Sequence, residues 1–141
     1  MQDIQIVEFD EHRQPNWYAV IREGLTAFNR EQVGNRDLQL LRLAALDADG
    51  QVIGGVLAEQ IWGWLLIGVL WVAPSWRGHG IGAALLQQAE ALAQVQGCRH
   101  CALETFSFQA RAFYERQGYV VYGALEDFPP GHVRYSMKKD F

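Results

Sequence analysis

The segment Arg77-Gly78-His79-Gly80-Ile81-Gly82 puts three glycines into six residues. It lies between an apolar run that ends at Val72 and a helix-like stretch that begins at Gly80. Glycines this dense cost backbone entropy and would weaken either neighbour if they lay inside it. Something must therefore approach this turn closely enough to exclude side chains. Bare backbone leading into a helix aims several free N–H groups at one point, and the helix dipole adds partial positive charge there. That combination suits an anion, phosphates above all. A simple packing turn is the plain alternative, but three glycines beside Arg77 exceed what a turn needs.

Working outward, GWLLIGVLWV (63–72) reads as a strand buried on both faces, with Gly68 marking a bulge. Pro74 ends it. The hairpin LQLLRLAALDADGQVIGGVLAEQI (38–61) precedes it, with turn chemistry at Asp47-Ala48-Asp49-Gly50. Farther upstream, DIQIVEF (3–9) alternates and reads as a first strand, and residues 16–32 hold one or two helices carrying Trp17, Val20, Ile21, Leu25 and Phe28. Downstream, GIGAALLQQAEALAQVQG (80–97) is a long helix with Ile81, Leu85, Ala89 and Leu92 on one face and Gly97 as its stop. A strand CRHCALETF (98–106), a helix FQARAFYERQG (108–118) and the strands YVVYGAL (119–125) and HVRYSMKK (132–139) complete the order, with Pro129 to Gly131 between the last two. Hairpins beside crossover helices imply an α/β chain of α+β type, a mixed sheet with helices on its faces.

The chain of 141 residues suits one domain, 1–141, and its 50% hydrophobic content allows a sizeable core. A net charge of -4 leaves no electrostatic footprint for nucleic acid. Two cysteines are too few for a disulfide framework, no secretory pattern opens the sequence, and its longest apolar run is too short for a membrane helix. The reading is a protein of the cytoplasm, with no membrane or nucleic-acid partner. Cys98-Arg99-His100-Cys101 has metal-like spacing but no second pair, so no metal site is expected.

Among phosphate loops, a P-loop would end in Gly-Lys-Ser/Thr, which Gly82-Ala83-Ala84 does not. Gly78, Gly80 and Ala83 satisfy the dinucleotide form, but Ala73 to Trp76 separate strand from glycines, and the loop follows a hairpin in mid-chain. A third pattern fits best. VAPSWRGHGIGAALL (72–86) resembles the pyrophosphate loop of the GNAT superfamily of N-acetyltransferases, Arg/Gln-x-x-Gly-x-Gly/Ala after a Val-ending strand, filled here by Val72, Arg77, Gly80 and Gly82. LETFSFQARAFYERQGY (103–119) resembles the family's second signature, with Phe113, Tyr114, Gly118 and Tyr119 in register.

The resemblance implies transfer of an acetyl group from acetyl-CoA to a primary amine of a small molecule or protein, and often a homodimer formed through the sheet edge or terminal strands. It implies that the strands around GVLWV and ALETF splay apart, so that the pantetheine arm lies between them. Cofactor contacts would then fall on Leu70, Trp71, Val72, Arg77, Gly78, His79, Gly80, Ile81, Gly82, Gln109 and Phe113. Tyr114 would protonate the leaving thiolate. A lysine-like amine with a pKa of ~10.4 is neutral in only about one molecule in a thousand at pH 7, so a base is also needed. Many family members carry a carboxylate on the strand before the loop, where this sequence has no titratable residue. Glu104 on the next strand is the candidate base, with Asp127, His132 or a chain of waters leading outward as alternatives. A non-catalytic acyl-CoA-binding module is the rival reading. Phe28 and Asn29 fall in the segment that lines the family's acceptor cleft.

Overall fold

Asp47 organises the first hairpin: its Oδ1 accepts the backbone N–H groups of Asp49 and Gln51, both at 2.9 Å, and Gly50 takes a φ of 79° to close the turn. In the computed structural model, which describes residues 3–141, strands β1 (Gln39–Leu46) and β2 (Val52–Ile61) grow from this turn in antiparallel register. Gly54 and Gly55 on β2 are there for closeness. A Cβ would stand 2.8 Å from the Trp71 carbonyl oxygen at the first and 2.7 Å from the Leu43 carbonyl oxygen at the second.

Strand β3 (Trp64–Val72) follows on the other edge of β2. A short 3-10 turn, Pro74–Trp76, and the glycine segment then lead into α2 (Ile81–Val95), numbered after the N-terminal helix α1 described below. β4 (His100–Phe106), α3 (Arg111–Arg116), β5 (Val120–Glu126) and β6 (Val133–Asp140) complete the chain. The sheet has six strands in the order β1-β2-β3-β4-β6-β5. Only β3 and β4 pair in parallel.

One face of this sheet forms the core. Leu85, Leu86, Ala89 and Ala93 of α2 and Tyr114 of α3 pack with Val56, Leu65, Ile67, Cys101, Leu103 and Met137 of the strands. The buried Glu90 of α2 accepts the Tyr119 hydroxyl at 3.2 Å and the Lys139 ammonium at 2.7 Å, which ties α2 to β6. On the opposite face Leu57, Leu66, Val69 and Trp71 remain substantially exposed. The expectation that β3 is buried on both faces is therefore wrong. Its apolar residues alternate between a packed face and an open one, and a run of hydrophobic side chains does not say which face is covered.

The contacts group the chain into two compact units, Met1–Arg36 and Asp37–Phe141. In the first unit, one helix, α1 (Pro15–Val33), occupies the segment read as one or two helices. Proline at its first position suits a helix start. Asp10 builds the turn before it, accepting the N–H groups of Arg13 and Gln14 on its carbonyl. The expected first strand, Asp3 to Phe9, is not a strand. Alternation marks a side-chain pattern, but a strand also needs a partner edge.

Candidate active site

Trp64 to Ile67 pair in parallel with His100 to Leu103, and there the pairing ends. β3 runs on to Val72 and β4 to Phe106, each still bonded on its far side, to β2 and β6 respectively. The seam opens into a groove of about 550 Å³ lined by Gly68 to Val72 from one strand and Leu103 to Thr105 from the other. The bulge expected at Gly68 is present at the point of parting. Leu57 faces Val69 and Ala58 faces Ile67, which leaves Gly68 without a partner. A Cβ there would stand 3.3 Å from the Leu57 carbonyl oxygen.

Arg77 lines the groove beside Val72, whereas Gly78 to Gly82 and Phe113 do not; the glycine segment leads on from Arg77 into α2. Gly78 and Gly80 have φ values of 79° and 78°, a region that side chains disfavour. Gly80 caps α2, and the first main-chain bond of that helix is from Ala84 N–H to the Gly80 carbonyl. Among the described residues, no backbone acceptor meets the N–H groups of residues 78 to 83. Gly82 is different: a Cβ there would make ordinary contacts, 3.6 Å from the Phe113 ring and 3.7 Å from a Val72 methyl. The protein's own packing does not demand this glycine. Arg77 donates its Nε–H to the Val72 carbonyl at 3.0 Å, which locks the turn to the end of β3. His79 turns back toward the 3-10 segment, with Nδ1 at 3.1 Å from the Trp76 carbonyl oxygen.

Tyr114 enters the groove from α3 and is buried. Burial pushes its hydroxyl up to about 12, with the neighbouring Cys101 adding to the rise. Phe113 lies beside it, edge to face at 5.1 Å. Gln109 accepts the Phe106 N–H at 2.9 Å, and buried Thr105 accepts the Ala110 N–H at 3.3 Å, so the chain turns out of β4 into α3 around the groove. Thr105 and Phe108 line the groove and were not singled out in the sequence. Thr105's alternation with Leu103 along the strand was the available signal.

Glu104 also lines the groove, and no other carboxylate does among the described residues. Its carboxylate forms an ion pair with Arg134 on the adjacent β6. Arg134 in turn lies over the Phe128 ring at 5.0 Å. His132 does not line the groove; its Nδ1 lies 3.2 Å from the Ser107 hydroxyl. Asp127 instead accepts the Gly131 N–H at 3.2 Å. In the Cys98–Cys101 segment, His100 pairs with Asp140 at 2.7 Å and stacks on Trp64. The Cys98 thiol donates to Gln60, and burial pushes the Cys101 thiol up to about 12. Phe28 lies on α1 in the N-terminal unit and is exposed.

The sequence from residue 3 to residue 119 matches the acetyltransferase (GNAT) family. The chain belongs to the GNAT family of acetyltransferases. It is 36% identical over 106 residues to a blasticidin-S acetyltransferase of Streptomyces morookaense, covering 74% of this chain and 78% of that one. The crystal structure of an acetyltransferase from Bacillus cereus superposes with a TM-score of 0.87 at 30% identity, covering 97% and 98% of the two chains. A Bacillus anthracis protein solved with acetyl coenzyme A superposes with a TM-score of 0.64 at 25% identity over 72% of this chain and 62% of its own. The GNAT profile starts in the N-terminal unit and ends in the second. Among the described residues, no helix is long and apolar enough to cross a membrane.

Proposed function

We infer that this GNAT acetyltransferase moves the acetyl group of acetyl-CoA to a primary amine by direct attack. The observation that carries the reading is the open edge of β3 from Gly68 to Val72, which ends beside unbonded N–H groups at the entrance of α2. A pantetheine arm carries amides that can pair with such an edge, and its pyrophosphate matches the charge of the helix entrance. Leu70, Trp71 and Val72 would offer backbone to the arm. Arg77, Gly78, His79, Gly80, Ile81 and Gly82 would surround the phosphates, with Gln109 and Phe113 on the facing side. The unforced glycine at position 82 supports this reading, since it leaves room that the protein does not fill.

The amine's nitrogen forms a bond to the thioester carbon and the C–S bond breaks. A backbone N–H at the Gly68 bulge is suited to the developing oxyanion. Tyr114, held protonated by burial, supplies the proton for the departing sulfur. Glu104 is the proton acceptor of the groove, through a water where the ion pair to Arg134 holds its carboxylate back. An enzyme drawing on acetyl-CoA works where that cofactor is made available, in the cytoplasm. That one relative is a blasticidin-S acetyltransferase supports a small-molecule acceptor here too. A thiol-release assay with acetyl-CoA across a panel of amines tests this. Turnover is expected. Coenzyme A binding without turnover of any amine would favour a non-catalytic acyl-CoA-binding module, a reading that the lack of a carboxylate on β3 also supports.

A further inference from the structure

Gly68 belongs to two cavities. One is the groove described above. The other, of about 320 Å³, opens on the face of the sheet opposite α2 and is lined by Arg42, Leu57, Glu59, Leu66 and the bulge itself. The two cavities share Ile67 and Gly68, so the bulge is the partition between them.

The second cavity has a definite chemical layout. Leu57 and Leu66 form an apolar surface, 47% and 37% exposed. Glu59 lies opposite Leu66 on β3 and opposite Leu40 on β1, while Arg42 lies opposite Leu57. Arg42 and Glu59 are thus diagonal neighbours on one face, with Cα atoms roughly 7–8 Å apart by strand geometry. Among the described residues, no salt bridge joins them and no hydrogen bond holds the Glu59 carboxylate. The Arg42 guanidinium is fixed: Nη1 donates to the Ala58 carbonyl at 2.6 Å and to the Leu41 carbonyl at 3.1 Å. Its remaining N–H groups have no such bonds. A positioned cation and an unpaired anion therefore stand side by side above an apolar floor that leads to the bulge.

We propose that this cavity is the acceptor subsite and that it takes an amine bearing an amino-acid head group. Glu59 pairs with the α-ammonium, Arg42 pairs with the carboxylate, and the methylene stem crosses Leu57 and Leu66 to bring a terminal amine to Gly68. The inference rests on the acetyltransferase reading of the adjoining groove.

Four acceptors separate the contributions in steady-state kinetics with acetyl-CoA: lysine, aminocaproate (which lacks the α-amine), cadaverine (which lacks the carboxylate) and a simple alkylamine. Lysine is expected to have the lowest KM. Glu59→Gln should raise the KM for lysine by about tenfold, with kcat nearly unchanged, and leave aminocaproate unaffected. Arg42→Met should raise the KM for lysine and aminocaproate by about the same factor and leave cadaverine unaffected. Glu59→Lys, a charge reversal, should weaken lysine further still. Coenzyme A affinity by calorimetry should match wild type in all three variants, which also reports that they fold. If the wild-type enzyme acetylates amines but Glu59→Gln and Glu59→Lys leave every KM unchanged, the subsite is elsewhere and the acetyltransferase reading stands. If coenzyme A binds and no amine is acetylated, that reading falls and this inference falls with it.

Discussion

The two halves of β3 carry similar residues and sit in different surroundings. From Trp64 to Ile67 both backbone edges are bonded, to β2 on one side and to β4 on the other. From Val69 to Val72 the only strand bonded is β2, and Arg77 donates to the Val72 carbonyl. Composition does not separate Trp-Leu-Leu-Ile from Val-Leu-Trp-Val, since both are strongly strand-forming. The separation is made by one unpaired glycine and by a turn that is locked to the strand end through Arg77. One half of the strand stabilises the protein. The other keeps its hydrogen-bonding groups open, and a free strand edge accepts an extended partner readily.

The largest effect should come from raising the pH, and it reads the closed half. Cys101 faces Leu65 across the parallel seam. Burial raises its thiol from the ordinary 9.0 to about 12. Above the ordinary value the unfolded chain ionises while the folded one does not. The stabilisation is therefore fully present below pH ~9 and is lost as the pH climbs to about 12, at a cost of about 4 kcal/mol. Tyr114, raised from 10.0 to about 12, adds to the loss in the upper part of that window. Denaturant melts across this range should show a steep alkaline decline that Cys101→Ala makes shallower. A stability flat to pH 12 would show that the closed seam is not dry.

Leu65→Ala removes a fully buried side chain from the closed half. It should cost about 3 kcal/mol in a denaturant melt, within the usual range for such truncations. Tyr114→Phe, in the open half, should lower kcat by about a hundredfold, or about 2.7 kcal/mol, and leave coenzyme A affinity intact. An unchanged kcat would remove Tyr114 from the chemistry. Because its hydroxyl stays protonated well past neutrality, the wild-type rate should show no limb from this group below about pH 10. Gly80→Val places a branched side chain at a φ of 78°. It should weaken coenzyme A binding by at least about tenfold in calorimetry. The smallest effect belongs to Trp71→Ala, a residue 46% exposed on the open half. It should change stability by about 1 kcal/mol or less, which separates the two halves in one pair of melts.

Local chemistry made much of this legible in the sequence. Asp47 to Gly50 named the hairpin turn, Gly68 named the bulge, and Gly97 and Gly118 named two helix ends, where φ is 96° and 93°. The glycine turn was readable from its own residues, whereas Tyr114 was singled out only by its register with the GNAT family's second signature. What failed depended on distant partners. Asp3 to Phe9 has strand alternation but no ladder, and β3 has core-like residues on a face that stays open. The ion pair between Glu104 and Arg134 joins residues thirty positions apart through the β4–β6 register, which no local pattern encodes. Arg42 and Glu59 were passed over for the same reason. Each reads as an ordinary polar residue of a hairpin strand until cross-strand pairing sets them beside the bulge.

β6, which spans Val133–Asp140, is inserted between β4 and β5, and those two strands meet nowhere else. It also supplies Lys139 to Glu90 of α2 and Arg134 to Glu104 beside the groove. A chain emerging from the ribosome therefore holds every glycine of the turn before α2 long before it can brace that helix. Until residue 140 has left the exit tunnel, the wall of the cleft carrying Glu104 lacks its outer neighbour, and the groove is among the last features to become rigid.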